Sequence, residues 1–146
     1  MTPLVRLYVK TSFVFLMLGL LLGGYVAIEV NLLGRAVPWP LITAHTHLVL
    51  VGFMLMLVFG VATWMFPRPA RDDARYRPSL AWLVYWLLTA STAVRALGEL
   101  SAAVTGGRGS PLAALGSLGQ LAAAIVFVLN MWSRVRMPGG STTPSS

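Results

Sequence analysis

The sequence predicts an all-helical (all-α) integral membrane protein, a bundle of four transmembrane helices with both termini in the cytoplasm. Of its 146 residues, 57% are hydrophobic and only 10% are charged. A water-soluble domain of this size needs a larger polar share to cover its surface, so the composition excludes both a soluble fold and a disordered chain. The chain contains no cysteine, which excludes a disulfide scaffold, an iron–sulfur cluster and a thiol nucleophile.

Four apolar stretches are long enough to cross a membrane as helices. An apolar run of about 20 residues spans the hydrocarbon core of roughly 30 Å. The predicted spans are about 11–30, 41–66, 80–104 and 111–132, in a single domain of residues 1–136. We expect the first span to be a retained helix, because its apolar run is longer than a signal core and no A-x-A-like cleavage site follows. Residues 137–146 are predicted to form a disordered tail.

Prolines mark several of the predicted helix boundaries. Pro38 and Pro40 precede the second span, and Pro67 and Pro69 follow it. Pro78 comes directly before the third span, where a proline suits the first turn of a helix. Proline inside a helix removes a hydrogen bond and clashes with the preceding turn, so these positions favour helix ends.

The loop charges predict the orientation of the bundle. The short loops before the second span and before the fourth span hold one basic residue each, Arg35 and Arg108. The basic residues on the other side are Arg6, Lys10, Arg68, Arg71, Arg75, Arg77, Arg134 and Arg136. Basic loops stay in the cytoplasm, so both termini are predicted there, in a multi-pass protein of a prokaryotic cytoplasmic (inner) membrane. The net charge of +7 is then a topology signal and a contact with membrane lipids, and nucleic-acid binding is not needed to explain it.

Five polar residues are predicted at one depth, in the outer third of the bilayer beneath Arg35 and Trp39. They are Glu29, His45, His47, Arg95 and Glu99. Polar groups are costly inside a membrane, so their convergence at one depth indicates a site. There are structural alternatives: Arg95 and Glu99 could only pair with each other, and Glu29 could only reach the outer interface. Gln120 is interpreted as an interhelical hydrogen bond.

The two histidines of the second span are the candidate metal ligands. Imidazole is the commonest metal ligand and has few structural uses in an apolar span. At 100° per residue, Gly52 lies within about 20° of His45, where it lets a flat macrocycle or another helix approach the backbone. His47 lies about 200° further round, so the two rings are not expected to bind one iron within one chain. Methionines such as Met56 are interpreted as packing residues.

The stretch TAHTHLVLVGFMLMLVFGVATWMFPRPARDD resembles the second transmembrane helix of the haem–copper oxidase catalytic subunit, whose superfamily includes the nitric oxide reductases. The pattern is an outer histidine, an apolar span with glycines and a proline at the cytoplasmic exit, met here by His45, Gly52, Gly60 and Pro67. The resemblance implies that His45 is an axial ligand of a low-spin haem. His47 has no equivalent role in most members of that family.

The resemblance has limits that bear on function. The family subunit has many more helices, and its second haem ligand and its copper ligands are histidines of those later helices. This sequence has four predicted spans and no third histidine. The chain by itself is therefore not expected to build the binuclear centre that reduces oxygen or nitric oxide, and whether it is an enzyme stays open.

The leading hypothesis is a protein that binds haem b through His45, for electron transport or for haem or gas sensing. His47 and Gly52 are the further candidate residues of the haem site, and Arg35, Trp39 and Arg95 are predicted to meet the haem propionates. The missing second ligand predicts a homodimer in which the partner's histidine completes the iron site. We expect a respiratory complex or another redox partner beside it.

Two other hypotheses remain open at this point. The chain could be a non-catalytic accessory subunit of a respiratory oxidase or nitric oxide reductase that keeps the helix pattern without haem. It could also be a small copper- or zinc-binding membrane protein that uses His45 and His47 from several chains.

Overall fold

The computed structural model describes residues 2–66, 78–107 and 109–132, and in this part of the chain it contains four long helices. We name them α1 (Pro3–Asn31), α2 (Trp39–Met65), α3 (Pro78–Thr105) and α4 (Pro111–Trp132). Each is long and apolar enough to span a membrane, which confirms the predicted all-helical membrane fold. Several of the predicted features lie outside the described residues: the basic loop after α2, Arg108, Arg134, Arg136 and the predicted tail at 137–146.

Helix α1 begins well before the predicted start at residue 11. The backbone of Thr2 is extended, and its hydroxyl accepts a hydrogen bond from the Val5 N–H at 3.5 Å. Pro3 then occupies the first turn, where its missing N–H costs nothing. Since Val5 and Tyr8 are buried, this extra length packs against the bundle. The prediction followed the apolar run alone, so it did not include the capped first turns of the helix.

Helix α2 is continuous but contains a π-helical segment in its middle. The segment is Leu48–Leu55, between the α-helical parts Trp39–His47 and Met56–Met65. A π-helix has wider turns than an α-helix, with hydrogen bonds between residues five apart, and is rare outside functional sites. The sequence analysis assumed 100° per residue throughout and did not predict it. The segment begins directly after His47, so it separates the two histidines from the C-terminal part of the helix.

Helices α3 and α4 pack closely because glycine allows their backbones to approach. A Cβ atom on Gly116 would lie 2.5 Å from Cβ of Arg95 and 2.7 Å from the carbonyl oxygen of Ser91. One on Gly119 would lie 2.6 Å from Cβ of Ser91. Small residues at such positions are the usual means by which membrane helices make close contacts, because the apolar lipid provides no hydrophobic driving force between them.

Substituting Gly116 by alanine is therefore expected to destabilise the protein. The added methyl group must push α4 away from α3, at a cost of about 1–3 kcal/mol. Gly24→Ala is the matched control, because a Cβ there has no atom within 4 Å and alanine favours helix. Unfolding in mixed detergent and SDS micelles measures both; equal stability of the two variants would contradict the close α3–α4 contact.

Helices α1 and α2 form a second close pair. A Cβ on Gly52 would lie 2.7 Å from Cβ of Phe15, and one on Gly60 would lie 2.6 Å from Cβ of Tyr8. Of the two roles left open for Gly52, a close approach of another helix is the one that this structure contains.

Aromatic side chains join the two pairs of helices. Phe59 of α2 stacks on Phe127 of α4 with ring centroids 3.7 Å apart. Tyr8 of α1 meets the edge of Tyr85 of α3, and the Tyr85 hydroxyl lies 2.8 Å from the hydroxyl oxygen of Thr11. Met56 is fully buried in this core, in agreement with its interpretation as a packing residue.

Candidate functional site

His45 lies on the face of α2 that contacts α1. Its Nδ1 atom is 2.8 Å from the carbonyl oxygen of Gly19. A carbonyl oxygen only accepts hydrogen bonds, so Nδ1 carries the proton and donates it. In the neutral imidazole the other nitrogen, Nε2, then holds a lone pair and is the atom suited to bind a metal.

Two glycines of α1 allow α2 to approach closely at His45, and one of them makes the space for its ring. A Cβ atom on Gly23 would lie 2.5 Å from Cε1 and 2.6 Å from Nδ1 of His45. A Cβ on Gly19, one turn earlier, would lie 2.7 Å from Cγ2 of Val49. We call Gly19 and Gly23 the glycine groove. Any side chain in the groove would push the imidazole or the helix that bears it away from α1.

His47 faces α3 instead of α1. Its Nδ1 atom lies 2.8 Å from the carbonyl oxygen of Thr43, in its own helix, and 3.2 Å from Oε1 of Glu99. Both partners are oxygen acceptors, so Nδ1 again carries the proton. The two histidines therefore contact different helices, as the angular separation of about 200° predicts.

Glu99 connects His47 to a polar network that crosses three helices. Arg95 donates from Nε to Oε1 of Glu99 at 3.1 Å and from Nη1 to Oε1 of Gln120 at 3.3 Å. Gln120 in turn donates from Nε2 to the hydroxyl of Thr92 at 3.2 Å. We call His47, Thr92, Arg95, Glu99 and Gln120 the polar network. The pairing of Arg95 with Glu99 along the helix is present, but it is only one bond of this network.

The predicted site residues do not form one cluster in the structure. Arg95 lies with His47 in the polar network and not beside His45. Arg35 is exposed and pairs with Glu29 through Nη1 and Oε2, which are 3.6 Å apart. Trp39 is exposed at the start of α2, where it lines a cavity together with Glu99. Equal depth in the bilayer does not require contact, because each residue can point to a different neighbouring helix.

Sequence reasoning missed the glycine groove and the part that Thr92 plays in the polar network. The spacing of Gly19 and Gly23, four residues apart in an apolar helix, is a known signal for close helix contact and was available in the sequence. Nothing in the local sequence signals Thr92. In the described part of the chain, no three side chains of histidine, cysteine, aspartate or glutamate come together to hold a metal ion.

Comparison with known proteins extends the resemblance to nearly the whole chain. Residues 3–140 match the family model described as cytochrome c and quinol oxidase polypeptide I. The match includes all four helices, and so reaches far beyond the stretch around His45. No curated protein and no solved structure matches the chain.

Proposed function

Because the chain belongs to the cytochrome c and quinol oxidase polypeptide I family, the haem–copper oxidase subunit I, we propose that it binds a b-type haem through Nε2 of His45. The hydrogen bond from Nδ1 to the Gly19 carbonyl is the observation that carries the proposal. Histidines that bind metals usually donate their other ring nitrogen to an oxygen, which fixes the tautomer and makes the binding nitrogen more basic. The donor chemistry of His45 thus fits an axial ligand.

The glycine groove would give this ligand a fixed direction. Gly23 lies against the ring and Gly19 accepts its proton, so the imidazole is held on two sides by the backbone of α1. A bound haem would supply a one-electron couple, whose potential depends on the axial ligands and on burial. The chain itself would contribute the ligand nitrogen, its orientation and an apolar surrounding.

The second axial ligand would come from another copy of the chain. His47 donates its Nδ1 proton to the Thr43 carbonyl and lies against Glu99, on another side of α2. Met54 and Met56 lie about two to three turns further along the same helix as His45, so neither they nor His47 can take the position opposite His45 on the same iron. We therefore propose a homodimer with two-fold symmetry, in which a histidine of each copy approaches the same haem.

The activity that fits such a site is electron transfer beside a respiratory complex, or haem and gas sensing if the iron has an open position. The sequence holds two histidines, which is too few for a low-spin haem site together with a copper site of the oxidase type. We propose that the chain takes part in redox chemistry without a complete oxygen-reducing centre of its own.

Carbon monoxide distinguishes an iron with two axial protein ligands from an iron with an open position. The purified, haem-supplemented protein is expected to have a Soret band with sharp reduced α and β bands, and to elute as a dimer. Two strong axial ligands leave no free position, so carbon monoxide should not shift the reduced Soret band rapidly. A large, rapid shift in a monomeric preparation would contradict the shared-ligand dimer and favour gas binding. A colourless protein would contradict the haem proposal.

One observation favours a second candidate function, that of a non-catalytic accessory subunit of an oxidase or reductase. The His45 ring fills the glycine groove and bonds to α1, which is already a sufficient structural role in helix packing. In that case the protein would be colourless and would co-purify with a larger complex. The same visible spectrum separates the two candidates.

We also propose that both termini lie in the cytoplasm of a prokaryotic cell. Because the chain has no native cysteine, single cysteines introduced for labelling give unambiguous signals. Cysteines in place of Arg35 and Arg108 should react with an impermeant maleimide in intact cells. Cysteines in place of Arg71 and Ser141 should react only after the membrane is opened. The reverse pattern would contradict the orientation drawn from the loop charges.

A further inference from the structure

A small cavity lies where α2 and α4 begin and α3 approaches its end. Its volume is about 160 Å³, enough for about five water molecules at roughly 30 Å³ each. The walls include Trp39, Pro40, Thr43, Glu99, Ser110 and Ala113. These helix ends lie on the same side of the bundle, so the cavity lies at one surface of the membrane and not at its centre. Neither His45 nor the glycine groove lines it.

Glu99 brings an unsatisfied negative group to this cavity. Only 7% of its side chain is exposed. Its Oε1 atom accepts a hydrogen bond from Arg95 and lies 3.2 Å from Nδ1 of His47, whereas Oε2 is buried and has no hydrogen-bond partner within the described chain. Buried carboxylate oxygens are almost always hydrogen-bonded, so an occupant of the cavity should bring a donor to Oε2.

The start of α4, which also lines the cavity, carries partial positive charge. Ser110 and Ala113 lie at the first turn of α4, whose N-terminal end carries the positive part of the helix dipole and binds anions. A single occupant that satisfies both Glu99 and the start of α4 carries an N–H donor and an oxyanion in one small group. Trp39 at the rim is 72% exposed, and tryptophan at a helix end is typical of the lipid headgroup level.

We propose that this cavity binds the phosphoethanolamine headgroup of an aminophospholipid. The primary ammonium group donates a hydrogen bond to Oε2 of Glu99, and the phosphate accepts from the Ser110 hydroxyl at the start of α4. Choline headgroups carry the same charges, but their quaternary ammonium has no N–H and leaves Oε2 without a donor. The site therefore selects for a primary amine and not for positive charge alone.

Native mass spectrometry of the intact protein in detergent tests this proposal. Phosphatidylethanolamine, phosphatidylcholine and phosphatidylglycerol with identical acyl chains are added in turn. We expect about tenfold tighter binding of the ethanolamine lipid than of the choline lipid, the size of one charge-assisted hydrogen bond. Equal binding of these two lipids to the unmodified protein would overturn the proposal, and this comparison does not depend on any variant folding.

Two variants test whether Glu99 causes the preference for the ethanolamine lipid. Glu99→Gln should reduce the preference for the ethanolamine lipid to about twofold or less, because a neutral amide replaces the carboxylate. Glu29→Gln, at the other outer acidic residue, should leave the preference unchanged. A preference that survives in Glu99→Gln would place the lipid elsewhere. Tight binding of free O-phosphoethanolamine without any preference among the lipids would assign the same chemistry to a soluble ligand and overturn the lipid assignment.

Discussion

His45→Ala is expected to lower the haem content of the purified protein at least tenfold, while the chain still inserts into the membrane. The variant loses the proposed iron-binding nitrogen, and nothing in the glycine groove can replace it, since Gly19 and Gly23 offer no side chain. The ratio of Soret absorbance to protein measures the effect. His47→Ala is the matched control and should keep its haem, because His47 bonds to Thr43 and Glu99 on another side of α2.

Free imidazole makes this test sharper. Removal of the His45 ring leaves a space between α2 and the glycine groove that has the shape of imidazole, so millimolar imidazole should restore part of the Soret band in His45→Ala. It should have no such effect on a variant that has lost haem through unfolding. Unchanged haem content in His45→Ala would contradict the assignment and make His47 the ligand candidate.

Arg95→Ala is expected to cost about 3–5 kcal/mol of stability, the usual effect of removing one partner of a buried ion pair. Glu99 would stay buried without its guanidinium partner, with His47 as the nearest remaining basic side chain at 3.2 Å. Gln120 would also lose a donor to its side-chain oxygen. Unfolding in mixed detergent and SDS micelles gives the difference in free energy.

The double variant Arg95→Ala/Glu99→Ala tests whether the loss comes from an unpaired charge. Removing both partners leaves no buried charge, so the double variant should be more stable than Arg95→Ala alone. Arg35→Ala is the control on an exposed pair: Arg35 is 68% exposed and should contribute at most about 1 kcal/mol with Glu29. Additive losses in the double variant would contradict the network as a coupled unit.

The sequence was sufficient to predict the helices but not their pairing. The apolar runs and the prolines set the four spans, and the loop charges gave an orientation that can be tested. The early start of α1 depended on the cap at Thr2, which a hydropathy pattern does not contain. The π-helical segment Leu48–Leu55 was not predicted either, because its apolar residues are equally typical of an ordinary membrane α-helix.

The sequence predicted the faces on which the two histidines lie but not the helices that these faces contact. Helix geometry predicts an angle of about 200° between His45 and His47, and this angle places them on two different faces of α2. Which helix each face meets depends on packing: the glycine groove of α1 receives His45, and Glu99 of α3 receives His47. A common depth for Arg95 and His45 suggested one site, whereas the structure separates them because α2 lies between the two neighbouring helices.

The pairing of α1 with α2 has a consequence for the order of biosynthesis. The hydrogen bond of His45 to Gly19 and the contact of Gly23 with its ring lie within the first 45 residues, and α2 ends at Met65. A nascent chain therefore contains the complete histidine pocket before α3 has been translated. The polar network, in contrast, needs Gln120 and forms only after α4 has emerged. The surroundings of His45 and the final assembly of the bundle can thereby form at different times along a single chain.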